Sequence, residues 1–278
     1  PGAVGSRDWE RSRLAALYAL AQGDAPVVAT ADGLMARTLP PETLRSLAIT
    51  LEVGGQAELG ALAEQLLSAG YTRCEQVEGV GQFALRGGIL DVFSPLMDQP
   101  VRCEFFDDEI DSMGAFDPGT QRRTRNVSSA RILPAAEVLP HCAPGGLPGL
   151  ADQLTALAEK LAKKQKTEAI VQTLREDAER LRSGAAPGAA DRYLAAIYPT
   201  VTAGVHYLPP NAVVFLSESG RVDERVKNTV LQQKQDVEAL LSAGVLAGEY
   251  AHLTLTAEEL YAALEDFPVI LELSLIHI

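Results

Sequence analysis

The sequence predicts an α/β protein interrupted by a small α+β domain and followed by a long helix. Three observations carry this reading. An apolar run at residues 25–30 precedes a helix start at Asp32, and another at 212–216 precedes a helix over 222–243, which is the rhythm of alternating strand and helix. Residues 81–121 instead show apolar residues at every second position with charges between them, the pattern of a sheet with one buried face. Residues 150–182 carry leucines at steps of four, three and four, an amphipathic helical stripe.

Taken in order, residues 7–22 form a helix with Leu14, Leu17 and Leu20 on one stripe, and residues 25–30 a short buried strand. Ile49, Leu51 and Val53 alternate as a strand that ends at the Gly54-Gly55 turn. A helix over 58–69 turns Leu59, Leu62, Leu66 and Leu67 inward and stops at Gly70. Residues 71–78 return as a strand carrying Arg73. Three strands then fill 81–121, with Phe83, Leu85, Ile89 and Phe93, and then Val101, Cys103 and Phe105, in step, and with Gly87-Gly88 as a bulge or a close backbone approach. Arg86 falls opposite Phe83 and Leu85, while Arg102 and Glu104 fall opposite Val101 and Cys103. The turn Asp117-Pro118-Gly119-Thr120 closes the block. Beyond the Pro- and Gly-rich residues 131–146 come the long helix, a linker at 184–190, a short helix ended by Pro199, and an apolar strand at 212–216 buried on both faces.

The totals narrow the function. A chain of 278 residues with 47% apolar composition can fill one large core or two modest ones. A net charge of −13 argues against a stand-alone nucleic-acid binder, because phosphate contacts need a basic surface. Cys74, Cys103 and Cys142 are odd in number and without CxxC spacing, which fits a reducing cytoplasm. No apolar run approaches the length of a membrane span. Asp107-Asp108-Glu109 reads as a solvated hairpin turn, and the four histidines lack metal-ligand spacing. The six lysines begin at Lys160, none of them in the Gly-Lys-Ser/Thr setting that reaches the β/γ-phosphates of ATP, and no GxSxG elbow is present. The expectation is therefore no catalytic residues, no metal and no cofactor in this segment.

The block RGGILDVFSP followed by PVRCEFFDDEIDSMGAFDPGTQR resembles domain 2 of the transcription-repair coupling factor family, a module that also occurs in the excision-repair protein UvrB. The resemblance implies that this domain binds UvrA. It implies a partial, degenerate P-loop-NTPase-like (UvrB-like) domain around the insert: residues 1–47 as the end of domain 1a, 48–130 as domain 2, 131–273 as linker, long helix and domain 1b, and 274–278 as a non-native tail. Ser217 stands where a Walker B aspartate would hold Mg²⁺. The family motif carries UvrA-binding residues at the positions of Arg73, Arg86, Arg102 and Glu104, whereas Ala84 stands where UvrB members often have a further arginine. The same resemblance implies that ATP, Mg²⁺, RNA polymerase and double-stranded DNA are met by other parts of a longer translocase. The alternative is a piece of a UvrB-type or other ATP-dependent DNA helicase.

Overall fold

The computed structural model describes residues 8–23, 26–164 and 168–272. In chain order these form α1 (Asp8–Gln22), α2 (Ala31–Met35), α3 (Pro41–Leu47), β1 (Ile49–Glu52) and α4 (Leu59–Ser68). Seven short strands follow: β2 (Thr72–Arg73), β3 (Gln82–Arg86), β4 (Ile89–Val92), β5 (Val101–Phe106), β6 (Glu109–Phe116), β7 (Arg123–Asn126) and β8 (Ser129–Ile132). The remainder comprises α5 (Gly146–Lys163), α6 (Glu168–Arg182), α7 (Leu194–Ile197), β9 (Val214–Ser217), α8 (Ser219–Ser242), α9 (Ala257–Leu264) and β10 (Val269–Glu272). Two compact units result, one from Pro1–Tyr18 with Pro41–Leu139, the other from Ala19–Pro40 with Pro140–Ile278. The first unit thus extends beyond 48–130 on both sides.

In the first unit, a six-stranded sheet runs in the order β2-β3-β4-β5-β6-β7. All neighbours are antiparallel except β2 and β3, which are parallel. Its inner face supplies Phe83, Leu90, Val92, Val101, Cys103 and Met113 to a core completed by Leu62 and Leu66 of α4 and by Leu51 and Ile132 of the β1–β8 pair. Helix α4 starts where Glu58 accepts hydrogen bonds from the backbone N–H groups of Gly60 and Ala61, at 2.8 and 2.6 Å. Those two donors hold the Glu58 carboxyl below its usual pKa. The helix ends at Gly70, whose φ of +85° suits a residue without a side chain. Tyr71 Oη donates to the carbonyl of Leu133 at 2.5 Å, and Ser94 Oγ accepts from the Leu133 N–H at 3.0 Å, so the strand end near Ile132 is pinned to the sheet. Burial pushes the Cys103 thiol up to about 12, as expected for a core cysteine. Helix α1 joins this unit through Glu10, which accepts from the Glu137 N–H at 2.6 Å, and through an Arg13–Glu137 ion pair.

Several sequence expectations change here. Gly87-Gly88 is the two-residue turn of the β3–β4 hairpin, with Arg86 paired to Ile89, and Gly87 has the positive φ such a turn needs. The block therefore holds four strands, and Leu90 and Val92 face the core in place of Ile89. Residues 71–78 supply only β2, and Leu67 is exposed.

In the second unit, α2, α8 and α9 enclose Met35, Ala203, Val205, Val226, Leu255, Leu260 and Leu264. The expected single helix over 150–182 is instead two, α5 and α6, packed as a hairpin. Arg182, at the end of α6, donates to Thr155 Oγ1 at 2.8 Å and Asp152 at 3.4 Å near the start of α5, which fixes the antiparallel sense. Leu150, Leu154 and Leu157 of α5 and Val171, Leu174 and Leu181 of α6 are all buried. Residues 165–167, in the middle of the expected helix, lie outside the described residues, as do Ala25, the tail 274–278 and His277. Pro26 to Thr30 form no strand and are exposed. Strand β9 pairs in parallel with β10, but Phe215 is 64% exposed, so this strand is not buried on both faces. Among the described residues no helix is long and apolar enough to cross a membrane.

Candidate functional site

Antiparallel pairing places directly opposed residues on the same face of a sheet. The outer face of the six-stranded sheet therefore carries the row Ala84, Asp91, Arg102 and Gly114, and beside it the row Arg86, Ile89, Glu104 and Ser112. Sequence alternation correctly placed Arg86, Arg102 and Glu104 together on this face.

What it missed is the residue that organises them. Asp91 is 0% exposed, at the middle of β4. Its carboxylate accepts from Arg102 Nε at 2.7 Å and Arg102 Nη2 at 2.8 Å, a two-pronged pairing, and from Arg86 Nη2 at 3.0 Å. A carboxylate removed from water is stable only when paired and hydrogen-bonded, and three charge-assisted bonds meet that need. In return the two guanidinium groups are tethered to one buried carboxylate. The Asp91 hydrogen bond raises the pKa of Arg102. Arg102 also lies over the Phe116 ring, 4.7 Å from its centroid, within the range of cation–π attraction. Its side chain is 23% exposed and that of Arg86 is 51% exposed, so both present charge outward from a buried anchor.

Glu104 does not pair with Arg102. It accepts from Ser112 Oγ at 2.9 Å. Arg73 lies elsewhere: it is exposed on the edge strand β2, in register with Phe83 of the inner face, and so off the row of outer-face charges. Ala84 is 1% exposed and packs in a small apolar patch with Val77, Phe93 and Phe116. At the tip of the β5–β6 hairpin the register shifts after Glu104. Phe105 then packs on the inner core and Phe106 is left 75% exposed, an apolar group beside the charged rows. Asp107 and Asp108 form the turn itself, with Asp107 at a φ of +50°. The sequence did contain the signal for Asp91, a lone carboxylate between Leu90 and Val92, once the preceding turn is placed correctly.

A sheet of this kind offers fixed charge and an exposed aromatic, which suits recognition of another macromolecule. Residues 49–137 match the family of the UvrB interaction domain. The chain is 30% identical over 245 residues to the transcription-repair-coupling factor of Bacillus subtilis (strain 168), covering 87% of this chain and 21% of that protein. It is 39% identical over 176 residues to that of Myxococcus xanthus (62% and 14%), and 27% identical over 268 residues to that of Staphylococcus aureus strain USA300 (92% and 22%). The first unit thus carries a UvrB interaction domain. The chain belongs to the transcription-repair-coupling factor family, and it spans between 14% and 22% of the length of these relatives.

Proposed function

We propose that the outer face of the six-stranded sheet is a docking surface for UvrA, through which the protein recruits that partner to RNA polymerase stalled at DNA lesions in transcription-coupled nucleotide excision repair. The observation that carries this reading is the buried Asp91, which holds Arg86 and Arg102 in fixed, outward-facing positions. A merely solvated sheet face needs no buried anion beneath its arginines, and burying one is costly. Arg86, Arg102 and Glu104 supply the polar contacts, Phe106 an apolar one, and Arg73 a flanking contact at the β2 edge. The role is a cytoplasmic one.

Titration with UvrA tests this. Arg86→Ala and Arg102→Ala should each weaken binding while the domain stays folded by circular dichroism, Arg102→Ala by roughly 2 kcal/mol or more because that group is the better desolvated. Unchanged affinity in both variants would sink the assignment.

In this reading the second unit is a degenerate nucleotide-binding domain and the segment is no enzyme. Serine occupies position 217, and Glu218, at a φ of +53°, is engaged with Arg221 at 2.8 Å at the start of α8. ATP, Mg²⁺, RNA polymerase and double-stranded DNA fall to the remainder of the longer family protein, an ATP-dependent translocase. The segment should release no phosphate from ATP above the blank, with or without DNA, and sustained turnover would refute this part of the proposal.

A further inference from the structure

Arg123 is a further arginine that the fold brings onto the outer face. It sits on the edge strand β7, opposite Phe116, whose ring belongs to the outer apolar patch. Its side chain does not extend away from the edge. It folds back across β6, directly over Gly114, so that a Cβ built on Gly114 would stand 1.8 Å from Arg123 Nε. Nη2 reaches Ser112 Oγ at 3.4 Å, and that hydroxyl also donates to Glu104. Gly114 has no positive φ to explain a glycine in mid-strand, so the crossing of Arg123 is what its missing side chain accommodates. The general rule for an arginine on an edge strand is that it blocks edge-to-edge pairing. Here the side chain lies across the face of its own sheet instead, held there by a long contact to Ser112.

We infer that Arg123 is a further partner-contacting residue, extending the arginine row from Arg86 on β3 to a point above β6, roughly 14 Å across three strand spacings. This rests on the UvrA-docking reading and deepens it. The group it meets is a carboxylate on the same UvrA surface, since an exposed guanidinium fork is built for two-pronged carboxylate recognition. Unlike Arg86 and Arg102, Arg123 has no hydrogen bond to Asp91, and its charge is the more available for an incoming anion.

The test is titration of UvrA against the full 278-residue chain and four variants. Arg123→Ala should weaken binding about fivefold to tenfold, the size of one charged contact, and the loss should shrink at high salt. Gly114→Ala keeps the charge but displaces the side chain, and should weaken binding similarly with an unchanged melting temperature. Arg125→Ala, opposite Ala115 of the inner face, removes the same charge at the same edge and should leave affinity unchanged. Arg102→Ala reports on the docking reading itself. Weakening by Arg102→Ala with no effect of Arg123→Ala overturns the inference and leaves the docking reading standing. Equal losses from Arg123→Ala and Arg125→Ala also overturn it, because net charge alone would then explain them. No effect from any variant removes both.

Discussion

Asp91→Ala should destabilise the first unit by roughly 2–3 kcal/mol and abolish measurable UvrA binding at concentrations where Arg86→Ala still binds. Removing one member of a sealed ion pair costs about 3–5 kcal/mol, because the charge left behind is buried and alone. Here the arginines left behind are 51% and 23% exposed and can regain water, so the expected cost falls below that range. For a domain of this size that corresponds to a fall in melting temperature of roughly 10–20 °C. The binding loss is expected to exceed that of either arginine variant, because one carboxylate orients both guanidinium groups. Asp91→Asn keeps the shape and one acceptor oxygen but not the charge, and should fall between. Thermal unfolding and titration on the same samples separate the two consequences. A folded Asp91→Ala variant with wild-type affinity would mean that the arginines need no orientation from below.

The face on which Arg86, Arg102 and Glu104 lie was legible because strand parity is strict within one strand. It failed at Gly87-Gly88 because a two-residue hairpin turn places residues i and i+3 opposite one another on the same face. Counting by twos from Phe83 through the turn therefore puts Ile89 in the core, whereas it lies beside Arg86 and Glu104. The same slip puts Asp91 in step with Ile89 on the core side, whereas it lies on the outer face opposite Ala84 and Arg102. The position of Arg73 off the outer rows was not legible for a related reason: β2 is parallel to β3, and its register is fixed by pairing that no local pattern reports. In the second unit the leucine stripe suggested one long helix, since no glycine or proline interrupts residues 150–182. The stripe does lose its phase between Leu161 and Ile170, across a run of lysines, with α5 ending before it and α6 beginning after it. Strand β9 misled differently. A continuous apolar run promises burial on both faces only when strands flank it and helices cover both sides, and β9 has β10 as its one pairing partner among the described residues.

Phe116→Ala is the second substitution expected to act strongly, and it distinguishes packing from recognition. Phe116 is 0% exposed, holds Val77, Ala84 and Phe93 together, and lies beneath the Arg102 guanidinium. Truncating a buried phenylalanine leaves a cavity as well as losing transfer free energy, so a cost of about 3–5 kcal/mol is expected. That loss would lower UvrA binding by unfolding alone, so Phe116→Leu is the informative companion. Leucine fills most of the volume and should cost about 1 kcal/mol of stability. It removes the aromatic ring, and with it roughly 0.5–1 kcal/mol of cation–π attraction that helps to hold Arg102 in place. A folded Phe116→Leu domain with several-fold weaker UvrA binding is therefore expected, and restoring the ring with Phe116→Tyr should recover affinity only if the buried hydroxyl finds a partner. If Phe116→Leu binds UvrA as tightly as the parent chain, the two prongs to Asp91 suffice to hold Arg102, and the ring serves the apolar patch alone.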